Sequence, residues 1–155
     1  MHRILLGVFL VLSVVASTTS ADFYVVAGGG NGIRTDHGST VTRNTCYENT
    51  THGITVEDDG ASTVSGNTCY KNGDHGIETG NAYTITGNTC YRNTRGIGTG
   101  VASTVVGNTC YNNSLWGIFL LGSCFASQNT CVSNGTNMSI CSNCTKGLNH
   151  APSPP

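Results

Sequence analysis

One heptapeptide recurs along this chain and limits its fold more than any other feature. The sequence Gly-Asn-Thr-Cys-Tyr-x-Asn is complete at 66–72, 87–93 and 107–113, has one change at 43–49 and is degraded at 128–134. Its first Asn recurs after steps of 23, 21, 20 and 21 residues. A period of this length is typical of proteins in which one structural unit stacks on the next.

Each unit divides into three short segments in which apolar and polar residues alternate. The first reads Thr-Val-Thr at 40–42, the second Thr-Cys-Tyr at 45–47, and the third begins at Gly53-Ile54. Segments this short do not suit an antiparallel meander, and no Asn-Gly turn joins them regularly. Each segment can instead pair with its equivalent one unit later, about 4.8 Å away. We therefore predict an all-β fold, a parallel β-helix of five to six coils over residues 22–145.

The repeat also resembles those of a known superfamily. Its pattern, Thr-Ile/Val-x-Gly-Asn-Thr-x-x-x-Asn followed by Gly-Ile, is similar over about residues 23–140 to the right-handed parallel β-helix repeats of the pectate-lyase-like superfamily. The similarity is greatest to the Asn-rich repeats of polysaccharide lyases, alginate epimerases and periplasmic NosD-like proteins. The resemblance implies a right-handed, single-stranded coil. Because very different activities share such coils, it implies little about function.

Stacking turns each repeat position into a column of equivalent residues. The two Asn of the heptapeptide are expected at the corners of the coil, where their amides satisfy turn groups of neighbouring coils. Gly66, Gly87 and Gly107 precede the first Asn column and are expected to supply a left-handed backbone. The central Val or Ile of the first segment and the Ile of Gly-Ile are expected to form interior columns. We interpret all of these positions as structural.

Residues 1–21 have the features of a secretory signal peptide. A basic start precedes an apolar run over 4–16, and small residues lead to a predicted cleavage after Ala21. A membrane anchor is the alternative, but the apolar run is shorter than a comfortable span. We therefore expect a secreted or extracytoplasmic protein. Its formal net charge of −1 gives no reason to expect nucleic acid or a membrane as a partner.

Five of the eight cysteines form one column of the repeat, and that column has three interpretations. The thiols are buried as small apolar groups, some of them bridge adjacent coils, or they bind a metal ion. Separate thiols, one in each coil, suit a metal site least. The column consists of Cys46, Cys69, Cys90, Cys110 and Cys131.

The end of the chain departs from the repeat and is expected to form a cap. Solenoids need closed ends, and cysteines of a secreted protein commonly form disulfides. We therefore predict a cysteine-rich cap from about residue 120, with three possible pairings among four cysteines. The candidates for these bridges are Cys124, Cys131, Cys141 and Cys144. Residues 146–155 are predicted to be a flexible tail.

Tyrosines form an outward-facing column beside the cysteine column. One interpretation is a self-stacking ladder that stiffens this face. The other is a platform on which sugar rings stack, with the phenol hydroxyls as hydrogen-bonding groups. Together with the tryptophan of a separate column, the candidate substrate-binding residues are Tyr47, Tyr70, Tyr91, Tyr111 and Trp116.

The column just before Gly-Ile is the best candidate for chemistry, because its residues differ from coil to coil. It reads Asn31, His52, His75, Arg95 and Trp116. The resemblance to lyases and epimerases implies a base and a group that neutralises a uronate carboxylate. By that logic His52 or His75 is the base and Arg95 the neutralising group. The alternative is a polar column that merely faces the loops.

The acidic run that follows the second coil is a further candidate site. Hard carboxylate oxygens are the ligands that Ca²⁺ prefers. A calcium site is therefore possible at Glu57, Asp58 and Asp59, close to the histidine column.

Taken together, the residues favour a secreted β-helix domain with a binding or structural role on a polysaccharide or cell-surface glycan. The alternative is a small lyase or epimerase that acts on uronate polymers through His52, His75 and Arg95. A further alternative is an inactive fragment of a longer solenoid.

Overall fold

The structure is a computed structural model that describes residues 24–26 and 30–153. The predicted signal peptide, 1–21, lies outside the described residues. Eighteen β-strands follow one another in these residues, separated by short turns. They are β1 (Tyr24–Val26), β2 (Ile33–Thr35), β3 (Thr40–Thr42), β4 (Thr45–Tyr47), β5 (Ile54–Val56), β6 (Thr63–Ser65), β7 (Thr68–Tyr70), β8 (His75–Thr79), β9 (Thr84–Thr86), β10 (Thr89–Tyr91), β11 (Arg95–Thr99), β12 (Thr104–Val106), β13 (Thr109–Tyr111), β14 (Trp116–Leu120), β15 (Phe125–Ser127), β16 (Thr130–Val132), β17 (Thr136–Ile140) and β18 (Thr145–Lys146).

Every third strand joins the same sheet, so the chain winds through three parallel sheets. Sheet A consists of β1, β4, β7, β10, β13 and β16; sheet B of β2, β5, β8, β11, β14 and β17; and sheet C of β3, β6, β9, β12, β15 and β18. Equivalent residues pair in register, as Cys90 does with Cys69 on one side and with Cys110 on the other. The prediction of an all-β parallel solenoid is confirmed, with about five complete coils.

The interior consists of the predicted apolar columns. Sheet A contributes the cysteines, sheet B the Ile of each Gly-Ile, and sheet C the central Val or Ile of each Thr-Val-Thr segment. Burial of each aliphatic side chain contributes about 1.5–3 kcal/mol. The most deeply buried members include Cys69, Cys90, Cys110, Ile54, Ile77, Ile97, Val64, Ile85 and Val105, all 0% exposed.

The two Asn columns form hydrogen-bonded ladders at two corners of the coil, as predicted. The backbone N–H and the side-chain amide of Asn67 both donate to Asn88 Oδ1, at 2.9 and 3.0 Å. The amide of Asn67 also donates to the carbonyl of Val41 on the preceding coil, at 2.9 Å. One side chain therefore ties three coils together and satisfies buried turn groups.

The corner residues that precede each Asn column adopt a left-handed backbone even where they are not glycine. Gly66 has a φ of 64°, and Arg43, its equivalent one coil earlier, has a φ of 57°. At the second corner Lys71 has a φ of 54° and Arg92 a φ of 56°. A left-handed backbone costs conformational free energy in a residue that has a Cβ. The hydrogen bonds of the Asn ladder offset this cost at each corner.

The cysteines at the end of the chain only partly follow the expectation of a disulfide-tied cap. Cys141 and Cys144 form a disulfide, with Cα atoms 5.5 Å apart. Cys124 and Cys131 are free and buried. Cys131 belongs to the interior column of sheet A, and the Cys124 thiol donates to the carbonyl of Gly100 at 3.0 Å. Both thiols therefore lie in the interior of the coil.

The segment after residue 145, for which the sequence indicated a flexible tail, continues the solenoid for part of another coil. Asn149 extends the first Asn ladder, because the backbone N–H of Asn129 donates to Asn149 Oδ1 at 3.0 Å. The backbone N–H of His150 donates to the carbonyl of Asn129 at 2.8 Å. None of the described residues forms a helix with the length and apolarity that a membrane crossing requires.

Candidate functional site

The outer side of sheet B does not repeat one side chain along the stack, unlike the tyrosine column of sheet A. His52, His75, Arg95 and Trp116 occupy successive turns in the column that the sequence indicated, with His75 and Arg95 paired in register. The backbone N–H of His75 donates to His52 Nδ1 at 3.2 Å, so the two histidines are also linked directly. We call this outer side, with its neighbours Asp74, Glu78 and Phe119, the sheet B face.

The environment of His52 determines which of its nitrogens carries the proton. Its Nδ1 accepts the hydrogen bond from the His75 backbone, so the proton of the neutral ring resides on Nε2. That nitrogen lies 3.0 Å from Glu78 Oε2. The ring centroids of His52 and His75 are 5.3 Å apart. The imidazole of His52 is therefore held between a backbone donor and a carboxylate acceptor.

His75 is a buried side chain of the sheet B face, with 8% of the residue exposed. Burial lowers the pKa of His75, and this outweighs the opposing attraction of Glu78 and Asp74. Its Nδ1 lies 3.5 Å from Asp74 Oδ1 and forms no hydrogen bond with any described residue. The ring is therefore neutral near pH 7 and has a buried nitrogen without a partner.

A glycine on the next coil makes room for the His75 ring. A Cβ at Gly98 would lie 2.8 Å from His75 Nε2, which is closer than real Cβ contacts. Gly98 occupies the same register position as Glu78 on the coil before and Phe119 on the coil after. The missing side chain leaves a notch in that column, and the imidazole lies in it.

Arg95 connects the acidic part of the sheet B face to an aromatic part. Its Nη1 donates to Asp74 Oδ1 at 2.6 Å, so Asp74 contacts both His75 and Arg95. The guanidinium carbon lies 5.2 Å from the centre of the Trp116 ring, within the range of a cation–π contact. Trp116 in turn stacks on Phe119, with ring centroids 4.7 Å apart. An ion pair and two half-exposed aromatic rings thus form one continuous cluster.

The tyrosine column lies on sheet A, away from Trp116 on sheet B. Neighbouring tyrosine rings are 4.8–5.1 Å apart and within 7° of parallel. The two inner rings, Tyr70 and Tyr91, therefore each stack with a tyrosine on both neighbouring coils. Sugar stacking requires a free ring face. The structure therefore divides the candidate substrate-binding residues between two faces, and the geometry of Tyr47, Tyr70, Tyr91 and Tyr111 is that of a self-stacking ladder.

The structure does not bring together the three candidate calcium ligands, Glu57, Asp58 and Asp59. Glu57 forms an ion pair with Arg34, while Asp59 Oδ1 accepts a hydrogen bond from the side-chain amide of Asn81 at 2.7 Å. The backbone carbonyl of Asp58 accepts a hydrogen bond from the hydroxyl of Tyr83 at 2.5 Å. Among the residues that the structure describes, the group with metal-ligand geometry is instead His52, Asp74 and His75.

Two members of the sheet B face were missed from the sequence, Gly98 and Phe119. Both follow a Gly-Ile pair directly, at the position of Glu78 on the coil before. Aligning the coils on Gly-Ile, in place of the longer heptapeptide, places Glu78, Gly98 and Phe119 in one column. That alignment was a signal available in the sequence, because the residue directly after Gly-Ile changes from coil to coil.

Comparison with solved structures returns matches to a periplasmic alginate epimerase, AlgG. A crystal structure of this protein matches with a TM-score of 0.69 and 21% identity, covering 83% of the present chain and 37% of that chain. Two substituted variants match with TM-scores of 0.72 and 20% identity, each covering 83% of the present chain and 38% of theirs. The chain thus spans less than two fifths of the length of AlgG, and at these identities the likeness shows the fold alone.

No curated protein matches the chain. A family model described as "right handed beta helix region" matches residues 7–148, which is most of the sequence. The handedness that the repeat implied and the parallel sheets agree with that description. The chain therefore belongs to the right-handed β-helix family.

Proposed function

We propose that this protein is an extracytoplasmic polysaccharide-binding β-helix, and that it binds glycan at the C-terminal part of the sheet B face. The observation that carries the proposal is the cluster of Arg95, Trp116 and Phe119. Aromatic rings and a guanidinium group placed side by side on an outer surface are suited to the apolar faces and the polar edges of sugars. The cluster lies on two five-residue strands of sheet B, with Arg95 on β11 and both aromatic residues on β14.

The distribution of charge favours the same end of the solenoid. All eight Asp and Glu residues of the chain lie at or before Glu78. The coils beyond Glu78 contain Arg92, Arg95 and Lys146 and no acidic side chain. A negatively charged glycan, such as a polyuronate, is therefore repelled least by the coils beyond Glu78, which include Trp116 and Phe119.

The alternative surface, the tyrosine ladder of sheet A, is less suited to sugar binding. In that ladder Tyr70 and Tyr91 each stack with two neighbouring tyrosine rings, whereas Phe119 stacks on one ring only, that of Trp116. The likeness to the fold of AlgG supports a polysaccharide as the class of ligand, because AlgG is named as an alginate epimerase. The choice of face depends on the geometry of this chain alone.

The test is a binding titration with alginate, polygalacturonate and a neutral glucan, followed by calorimetry. The Trp116→Ala variant should weaken polyuronate binding at least about tenfold, the usual effect of removing a central aromatic anchor. The matched control is Tyr91→Phe, which keeps the stacked ring of the ladder and removes only its hydroxyl. Equal affinity of wild type and Trp116→Ala, or a greater loss in Tyr91→Phe, would contradict the proposal.

A second candidate function, a uronate epimerase or lyase, is favoured by the arrangement of His75 and Arg95. A base and a cationic group on consecutive coils suit removal of a proton next to a uronate carboxylate. Arg95 already pairs with Asp74 at 2.6 Å, so a substrate carboxylate has to compete for it. Because of this competition, we rank polysaccharide binding above catalysis as the proposed function.

Product analysis distinguishes the two functions. Incubation with polyuronate should be followed both by absorbance near 235 nm, which detects the unsaturated product of a lyase, and by proton NMR of sugar configuration, which detects an epimerase. Activity that disappears in His75→Gln while glycan affinity is retained would establish the enzyme. Binding without either product would support the binding function alone.

A further inference from the structure

We propose that His52, His75 and Asp74 form a binding site for a divalent transition-metal ion, with Zn²⁺ as the probe. One nitrogen of each imidazole and one carboxylate oxygen lie within 4.8 Å of one another. The three residues come from two adjacent coils and are joined by the hydrogen bond from the His75 backbone to His52. The site is therefore a product of coil stacking and is not visible as a contiguous motif.

A buried atom without a partner points to a missing ligand at this position. His75 Nδ1 is inaccessible, forms no hydrogen bond with the described residues and lies 3.5 Å from Asp74 Oδ1. The His75 side chain is 10% exposed. Buried polar atoms in folded proteins nearly always have partners, and each exception calls for an explanation such as an ion. A cation between His75 and Asp74 supplies that partner.

Neighbouring residues hold the cluster and set its charge. Arg95 fixes the carboxylate of Asp74 through the 2.6 Å hydrogen bond, as residues behind a metal ligand commonly do. Glu78 Oε2 lies 3.0 Å from His52 Nε2 and is available as a further oxygen ligand. Two carboxylates against one guanidinium leave a net negative charge around the two imidazoles, which favours a divalent cation.

The donor set selects the class of metal. Two imidazoles with carboxylate oxygens suit zinc and its neighbours in the first transition row, whereas calcium binds through oxygen ligands. Two ligands on opposite sides of a zinc ion are at most about 4.2 Å apart, since each lies about 2.1 Å from the metal. The side chains must therefore draw inwards on binding. His52 must also give up either the hydrogen bond that its Nδ1 accepts or the contact of its Nε2 with Glu78, because each of its nitrogens is already engaged.

The experiment is a titration of the metal-free intact protein with Zn²⁺ against a chromophoric chelator, together with Co²⁺ absorption spectra. We expect one zinc ion per chain and visible Co²⁺ bands that indicate nitrogen and oxygen ligands. His52→Gln and Asp74→Asn should each weaken zinc binding at least about tenfold. Zinc should also raise the unfolding temperature of wild type by mass action.

The matched controls are His37→Gln and His150→Gln, which remove exposed imidazoles that lie outside the cluster. Both should bind zinc as wild type does. The far-UV spectrum of each variant checks that the solenoid is intact; if His75→Gln fails to fold, His52→Gln and Asp74→Asn still decide the matter. The site is disproved if wild type binds no zinc at millimolar concentration, or if the two cluster variants bind as tightly as the controls.

Discussion

Sheets A and B are wound from the same coils, yet their outer faces have opposite character. On sheet A four successive coils place one tyrosine above another, and the rings stack at about 5 Å. On sheet B the column before Gly-Ile is mixed, so that imidazoles, carboxylates, a guanidinium and aromatic rings come together. Repetition allows a side chain to pack against its own copy, whereas variation brings different chemical groups to one surface. We therefore propose that sheet A is a structural face and sheet B the functional one.

The largest effect is expected from a residue of the Asn ladder at the corner between sheets C and A. Asn88 accepts two hydrogen bonds from Asn67 and donates to Val64 and Asn108. Asn88→Ala leaves several buried groups unpaired and should lower the free energy of unfolding by about 2–5 kcal/mol. Urea unfolding measures it. Asn143→Ala, at an exposed position, serves as the control and should cost less than about 1 kcal/mol; similar losses in both variants would show that the ladder is not a main source of stability.

Tyr91 tests whether the ladder is structural. Its ring stacks on both Tyr70 and Tyr111, at 5.0 and 4.8 Å. Tyr91→Ala removes both contacts and should lower the free energy of unfolding by about 1–3 kcal/mol, at about 0.5–1.5 kcal/mol for each aromatic pair. Thermal and urea unfolding measure this effect, and glycan affinity should stay as in wild type. Loss of glycan affinity with unchanged stability would reverse the roles of the two faces.

Gly98 tests the notch on the sheet B face. In Gly98→Ala the new methyl group displaces the His75 ring, at a cost of about 1 kcal/mol for a side chain moved off its rotamer. Zinc affinity should fall, since His75 no longer lies beside Asp74. In a His75→Ala background the same change should cost nothing, because no ring remains to be displaced. An equal cost in both backgrounds, measured by urea unfolding, would mean that the notch has no relation to His75.

The interior cysteines should show almost no reaction in the folded protein. Burial raises the pKa of Cys69, Cys90 and Cys110 well above the usual thiol range, so the reactive thiolate is not formed at pH 8. Mass spectrometry after treatment with iodoacetamide should find these thiols unmodified in the native protein and modified after unfolding in guanidinium. Rapid modification of the native column would show that the interior of sheet A is open.

The fold was predictable because each structural requirement is repeated. Interior Ile, corner Asn and outward Tyr recur with the period of the coil, so the sequence contains several examples of each structural position. Residues after 145 were harder to interpret, since Asn149 extends the ladder without the rest of the heptapeptide. Cys124 was taken for a cap cysteine, because its position in the coil interior depends on register and not on spacing between cysteines.

The candidate site was only partly predictable, because its residues are not repeated. The column of His52, His75 and Arg95 was visible from its position before Gly-Ile. The double contact of Asp74 with His75 and Arg95 was not visible, since it depends on side-chain rotamers. The sequence indicated a calcium site in the acidic run of Glu57, Asp58 and Asp59. In the structure, however, the carboxylates of Glu57 and Asp59 pair with two different residues, Arg34 and Asn81.

The most direct test of the roles of the two faces is hydroxyl-radical footprinting with and without a uronate oligosaccharide, read by mass spectrometry. Aromatic side chains dominate both faces, so one experiment observes them together. We predict that ligand protects Trp116 and Phe119 from oxidation and leaves Tyr70 and Tyr91 unchanged. Protection of the tyrosine ladder, with Trp116 and Phe119 still oxidised as in the free protein, would contradict the account.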